Sequence, residues 1–148
     1  EQLKVWPKGH YEKLIKLCKE KIPKLPIIQL GGKDCERLSG VDQAFLGQSF
    51  ELTKWIIKNS LCHIDCEGGL VHLATQLDTK CIVIFGPTPV HMYGYEQNVN
   101  IVSSVCNNCM GLHDEWAYCC YQLETPNLCM KSIEPLTVLA EIQLIKGD

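Results

Sequence analysis

Glu67-Gly68-Gly69-Leu70-Val71-His72-Leu73-Ala74, followed by Cys81-Ile82-Val83-Ile84-Phe85-Gly86-Pro87-Thr88, holds the residue types best suited to chemistry in this chain. Two adjacent glycines between an apolar strand and a helix let backbone amides approach an anion closely. The partial positive charge at the helix start adds to the attraction. Phosphate is the anion that α/β proteins hold in this way, at the carboxyl ends of their strands. The Glu67 carboxylate can accept from hydroxyls, and the His72 imidazole, one turn into the helix, can donate to a phosphate or a hydroxyl. Thr88 ends the next strand, where its hydroxyl can face the same ligand. The plain alternative is a tight strand-to-helix turn, with His72 a satisfied core residue. No Asp-x-Asp motif occurs, so the protein's own donors must meet any charge that develops on a phosphate, and no metal ligands are assigned.

These groups need elements to carry them. Tyr11, Leu14, Ile15, Cys18 and Ile22 recur at helical spacing and predict a helix over 9–21, ended by Pro23 and Pro26. Ile27-Ile28-Gln29-Leu30 predicts a short strand closed by Gly31-Gly32, and Ala44-Phe45-Leu46 a weaker one. Ser49 is positioned to cap a helix in which Leu52, Trp55 and Ile56 share a face. A strand over 61–65, a helix over 69–77 and strands over 81–85 and 99–102 follow. The last element is a helix over 134–145 with Pro135 in its first turn. Short apolar strands alternating with helices predict an α/β fold: a single Rossmann-like three-layer domain whose parallel sheet is covered on both faces. Residues 103–131 match no regular element and form an irregular, cysteine-rich segment.

With 148 residues the chain is one ordinary domain, and its net charge of -3 argues against a general nucleic-acid binder, which would present a basic face. No apolar run approaches the ~20 residues of a spanning helix. Half of the 14 Lys and Arg residues fall between Lys4 and Lys24. They read either as the solvated face of one helix or as a basic surface for a phosphorylated acceptor or an anionic membrane. Of the ten cysteines, Cys18, Cys35, Cys62, Cys66 and Cys81 are scattered through predicted helices and strands, where Cys acts as a small apolar residue. Scattered thiols point to a reduced, cytoplasmic setting. Cys106-x-x-Cys109, Cys119-Cys120 and Cys129 allow a four-cysteine zinc site, free thiols or an adventitious disulfide, and their spacing leaves the three open.

The string over 67–88 resembles the C-terminal half of family 9 glycosyltransferases, the lipopolysaccharide heptosyltransferases and their relatives. Members carry an acidic or polar residue, Gly-Leu or Gly-Met, one residue, then His-Leu-Ala or His-Leu-Thr, and further on an apolar strand ending in Gly-Pro-Thr. Weaker likeness extends to Lys4-Val5-Trp6-Pro7 and to residues 46–52, and it thins after residue 104. In that family the strings matching residues 4–7 follow the linker between two Rossmann-like halves. The resemblance therefore implies that residues 1–148 are the nucleotide-sugar-binding domain, the C-terminal half of a GT-B-type fold, with an N-terminal acceptor domain outside this sequence.

The implied function is an inverting transfer of a heptose or similar sugar from a nucleoside-diphosphate donor, ADP-heptose-like, to a lipopolysaccharide-core or other glycan acceptor. No cofactor is required. Lys4 matches a lysine that reaches the donor phosphates, and Glu36 a glutamate near the donor ribose, where the plain alternatives are an exposed lysine and a solvated loop carboxylate. Gln48 aligns with the loop lining the base pocket. Glu67, Gly68, Gly69, Leu70, His72 and Thr88 complete the implied donor site. Many relatives have Asp and then Thr or Ser where this chain has Glu67 and Gly68, so the identity of the sugar stays open. The acceptor base is an aspartate of the other half, so no catalytic residue is expected here and the chain alone is expected to be inactive. The resemblance also implies work at the inner face of the inner membrane, through peripheral contact. The alternative reading is a non-catalytic nucleotide-binding or structural zinc-binding module.

Overall fold

The protein is described by a computed structural model at residues 2–112, 114–116, 118–120, 122 and 124–147. The two ends of the expected 1–148 domain, and residues 113, 117, 121 and 123 of the cysteine-rich segment, lie outside the described residues. A short 3-10 turn, Gln2–Lys4, precedes α1 (Lys8–Lys21), β1 (Ile28–Gly31), β2 (Gln43–Leu46), α2 (Phe50–Lys58), β3 (His63–Cys66) and α3 (Gly69–Gln76). Then come β4 (Cys81–Phe85), α4 (Val90–Tyr93), β5 (Val99–Val102), α5 (Leu128–Lys131) and α6 (Pro135–Lys146).

All strand pairs are parallel, as the strand–helix alternation requires. Their ladders form two groups, β1 with β2 and β3–β4–β5 with β4 central. Every residue of β4 is buried, which a strand covered on both faces demands. Its side chains alternate between two cores. Ile82 and Ile84 pack with Trp6, Leu14 and Cys18 on one side, together with Val138, Leu139 and Ile142 of α6. Cys81, Val83 and Phe85 face the other side, against Ile57 of α2 and Val71 and Ala74 of α3. The Rossmann-like three-layer arrangement follows from this single apolar strand.

Local chemistry sets the element ends. Ser49 caps α2, its side chain accepting from Leu52 N at 3.3 Å. Pro135 occupies the first turn of α6, where its missing N–H costs nothing. One expected face differs: Ile56 and Ile57 turn inward in α2, whereas Trp55 is 64% exposed. Ile57 takes the place against Val71 and Phe85, and this phase points Trp55 outward. Cys35 also departs from expectation, standing exposed in the loop after β1 rather than in an element. Among the described residues no helix is long and apolar enough to cross a membrane.

Candidate functional site

Parallel strands deliver their following loops to one edge of the molecule. Glu36 follows β1, Gln48 follows β2, Glu67 to Leu70 follow β3, and Thr88 follows β4. Glu67 is tied to the neighbouring strand end, its N–H donating to Ile84 O at 3.2 Å. Gly68 has an extended backbone (φ 176°) that any residue can adopt, and Gly69 opens α3. Space therefore distinguishes this glycine pair, not a left-handed backbone. A Cβ on Gly69 would meet nothing within 4 Å, and one on Gly68 only Cys66 O at 3.7 Å. Val71 N and His72 N donate to Gly68 O, and among the described residues the Gly69 and Leu70 amides have no acceptor, which makes them the open donors of this helix start.

Charge gathers beside that turn. Lys4 Nζ stands 2.6 Å from Glu67 Oε2, with side-chain exposures of 15% and 7%. The contact is an ion pair, and no directed hydrogen bond reaches this carboxylate oxygen among the described residues. Glu67 Oε1 is 3.9 Å from His72 Nε2, and His72 Nδ1 shares a 2.9 Å hydrogen bond with Tyr95 Oη. The chain Lys4–Glu67–His72–Tyr95 thus runs along the start of α3. Thr88, three residues past the end of β4, is only 2% exposed, and its Oγ1 has no partner among the described residues. A buried hydroxyl without a partner is costly, and an oxygen-rich ligand at this edge would relieve it.

Trp6 explains how Lys4 is held. Fully buried, its Nε1 donates to Ile133 O at 3.0 Å, its N donates to Cys66 Sγ at 3.2 Å, and its ring meets His10 and Tyr11 edge-on. Burial pushes the Cys66 thiol up to about 11 and holds the Tyr11 phenol well above its usual range. Lys4, two residues before this anchor, is delivered to Glu67.

The remaining expected donor residues stand apart from that cluster. Glu36, with an exposed side chain, pairs with Lys8, and the hydrogen bond between them raises the Lys8 ammonium above its ordinary value. Gln48 is exposed and folds back, Nε2 donating to Leu46 O at 3.3 Å. The lysine-rich beginning is largely drawn into ion pairs: Lys13 with Glu134 and Lys19 with Asp42, beside Lys4 and Lys8. This fits the solvated face better than a basic surface.

Tyr95 escaped sequence reasoning, because nothing in a loop residue 23 positions beyond His72 marks it. Asn100 Nδ2, which donates to Tyr95 O at 3.0 Å, holds its backbone.

The cysteine-rich segment packs onto the end of β4, with Asn108 N and Met110 N donating to Gly86 O and Pro87 O. Burial, with Cys106, Cys109 and Cys120 nearby, drives the Cys129 thiol up to about 12. Cys109 is likewise raised, by burial first and then by Cys106 and Cys120. Cys119 stands outside this neighbourhood, exposed and donating to Glu115 Oε2 at 3.5 Å. Among the described residues no three His, Cys, Asp or Glu side chains are grouped to hold a metal ion.

No family model matches the sequence, and no curated protein matches it. Its fold is similar to that of the E. coli heptosyltransferase WaaC, solved with ADP. The TM-score is 0.70 at 18% identity, over 98% of this chain and 41% of the other. At that identity the likeness is one of fold: a Rossmann-like α/β domain similar to part of that glycosyltransferase. The chain thus spans less than half the length of the solved relative.

Proposed function

We propose that this chain is the donor-binding half of an inverting glycosyltransferase, one that moves a heptose or similar sugar from a nucleoside diphosphate to a lipopolysaccharide-type or other glycan acceptor. The observation that carries this reading is the open Gly68–Gly69 turn at the carboxyl edge of β3 and β4, flanked by Lys4, Glu67 and His72. Its position in a fold similar to that of a heptosyltransferase solved with ADP supports the same reading. An arriving diphosphate takes the amides of Gly69 and Leu70 and competes with Glu67 for Lys4. The released Glu67 carboxylate then accepts from hydroxyls of the sugar. As the glycosidic bond breaks, negative charge grows on the leaving diphosphate, and donors already aimed at it stabilise the transition state more than the ground state. Glu36 serves the ribose, Gln48 lines the base pocket and Thr88 donates its unpartnered hydroxyl. The acceptor base belongs to the other half, which also supplies the acceptor site and any membrane contact.

Calorimetric titration of the chain with ADP, UDP and GDP sugars tests this reading. Saturable but weak binding of one nucleotide, with no sugar transfer, is expected. Transfer by this chain alone, or indifference to all three, contradicts it.

A further inference from the structure

His72 reaches its neighbours through two different ring nitrogens, and which one carries the proton decides what it can offer a ligand. Nδ1 lies 2.9 Å from Tyr95 Oη, and the two rings meet edge to face with centroids 5.6 Å apart. Nε2 faces Glu67 Oε1 at 3.9 Å, beyond hydrogen-bond reach. A phenol donates better than it accepts, and a neutral imidazole lone pair is a good acceptor, so Tyr95 O–H pointing at Nδ1 is the favoured arrangement. The opposite tautomer would aim the Nε2 lone pair at a carboxylate. Both neighbours therefore favour a proton on Nε2. Lys4 pairs with the far oxygen, Oε2, of Glu67, so Oε1 is the oxygen turned toward Nε2.

We propose that Tyr95 is a positioning residue that locks neutral His72 as the Nε2–H tautomer, so that the imidazole presents a hydrogen-bond donor, and no acceptor, beside the Gly68–Gly69 turn. Such a donor suits phosphate or sugar oxygens, and this part of the inference rests on the functional reading above. The tautomer itself does not. Asn100 Nδ2–H and Asn98 N–H donate to the Tyr95 carbonyl at 3.0 Å and 3.1 Å. The Tyr95 backbone is thus held independently of His72.

The test compares the wild-type chain with Tyr95→Phe, which keeps the ring edge and removes only the hydroxyl. Long-range 15N–1H spectra, recorded where the His72 ring is neutral, separate the tautomers, and calorimetry measures ADP affinity. Nε2–H is expected in the wild type, with mixed tautomers in Tyr95→Phe, ADP binding about 2- to 10-fold weaker, and little change in melting temperature. A wild-type ring protonated at Nδ1 overturns the proposal, as does a Tyr95→Phe ring still locked as Nε2–H. If the tautomer responds as expected but ADP binds neither protein, the positioning role stands and the nucleotide reading fails instead.

Discussion

Replacing Gly69 with Ala sets two effects of one methyl group against each other. Gly69 is the first residue of α3, its surroundings empty to 4 Å, so a Cβ is accommodated without repacking. Removing glycine's freedom from the unfolded chain stabilises a compatible helical position by about 0.4–1 kcal/mol. In a domain of this size that raises the melting temperature by roughly 1–4 °C. The same Cβ leans toward the helix N-terminus, across the approach to the Gly69 and Leu70 amides. Losing one amide bond to a charged phosphate costs about 1.5–3 kcal/mol, which is roughly 10- to 150-fold in affinity. Thermal melts and ADP titrations on one preparation read both quantities. A more stable protein that binds poorly is expected. A more stable protein that binds ADP as the wild type does would mean that the glycine pair is only a turn, and the phosphate assignment fails.

Three further outcomes follow from the geometry. Lys4→Met strands the buried Glu67 carboxylate and should cost about 2–4 kcal/mol, near the lower end for a broken buried pair because Lys4 keeps some solvent contact; Glu67→Gln added to it should recover part of the loss in a double-mutant cycle, and strict additivity would deny the pairing. Trp6→Ala removes a fully buried indole and its bond to Ile133 O, so chemical denaturation should show a loss of about 3–5 kcal/mol, and a near-neutral variant would refute its anchoring role. Burial raises the folded Cys62 and Cys66 thiols to about 11 and Cys129 to about 12, from 9.0. The stability they contribute is therefore fully present below pH 9 and lost as the pH climbs through 11 to 12; melting temperatures that stay level through pH 11 would contradict this.

Much of the scaffold was legible because it rests on local rules. The unbroken apolar run of β4 announced a strand covered on both faces, Ser49 marked the start of α2 and Pro135 that of α6. The short helices α4 and α5 were not, since four residues each are too few to show a period. Within the site, Glu67 and the glycines follow from chain order, because they must end β3 and begin α3. The Lys4–Glu67 pair and the Tyr95 contact depend on segments brought together across the fold, and spacing carries no trace of such meetings. The packing role of Trp6 was equally hidden, although the residue stands beside Lys4 in a recognisable string. Among the late cysteines, only the structure separates Cys119 from the neighbourhood shared by Cys106, Cys109, Cys120 and Cys129.

The central claim is that a nucleoside diphosphate binds at the carboxyl edge of the parallel strands, and a titration of the 15N-labelled chain with ADP tests it most directly. Saturable shifts concentrated on the amides of Gly68, Gly69, Leu70 and His72, with Thr88, Glu36 and Gln48 following, are the predicted result. Shifts gathered instead around Thr79, Lys80 and Asn98, which line a pocket at the opposite, amino ends of β4 and β5, or no saturable shift at all, would contradict it.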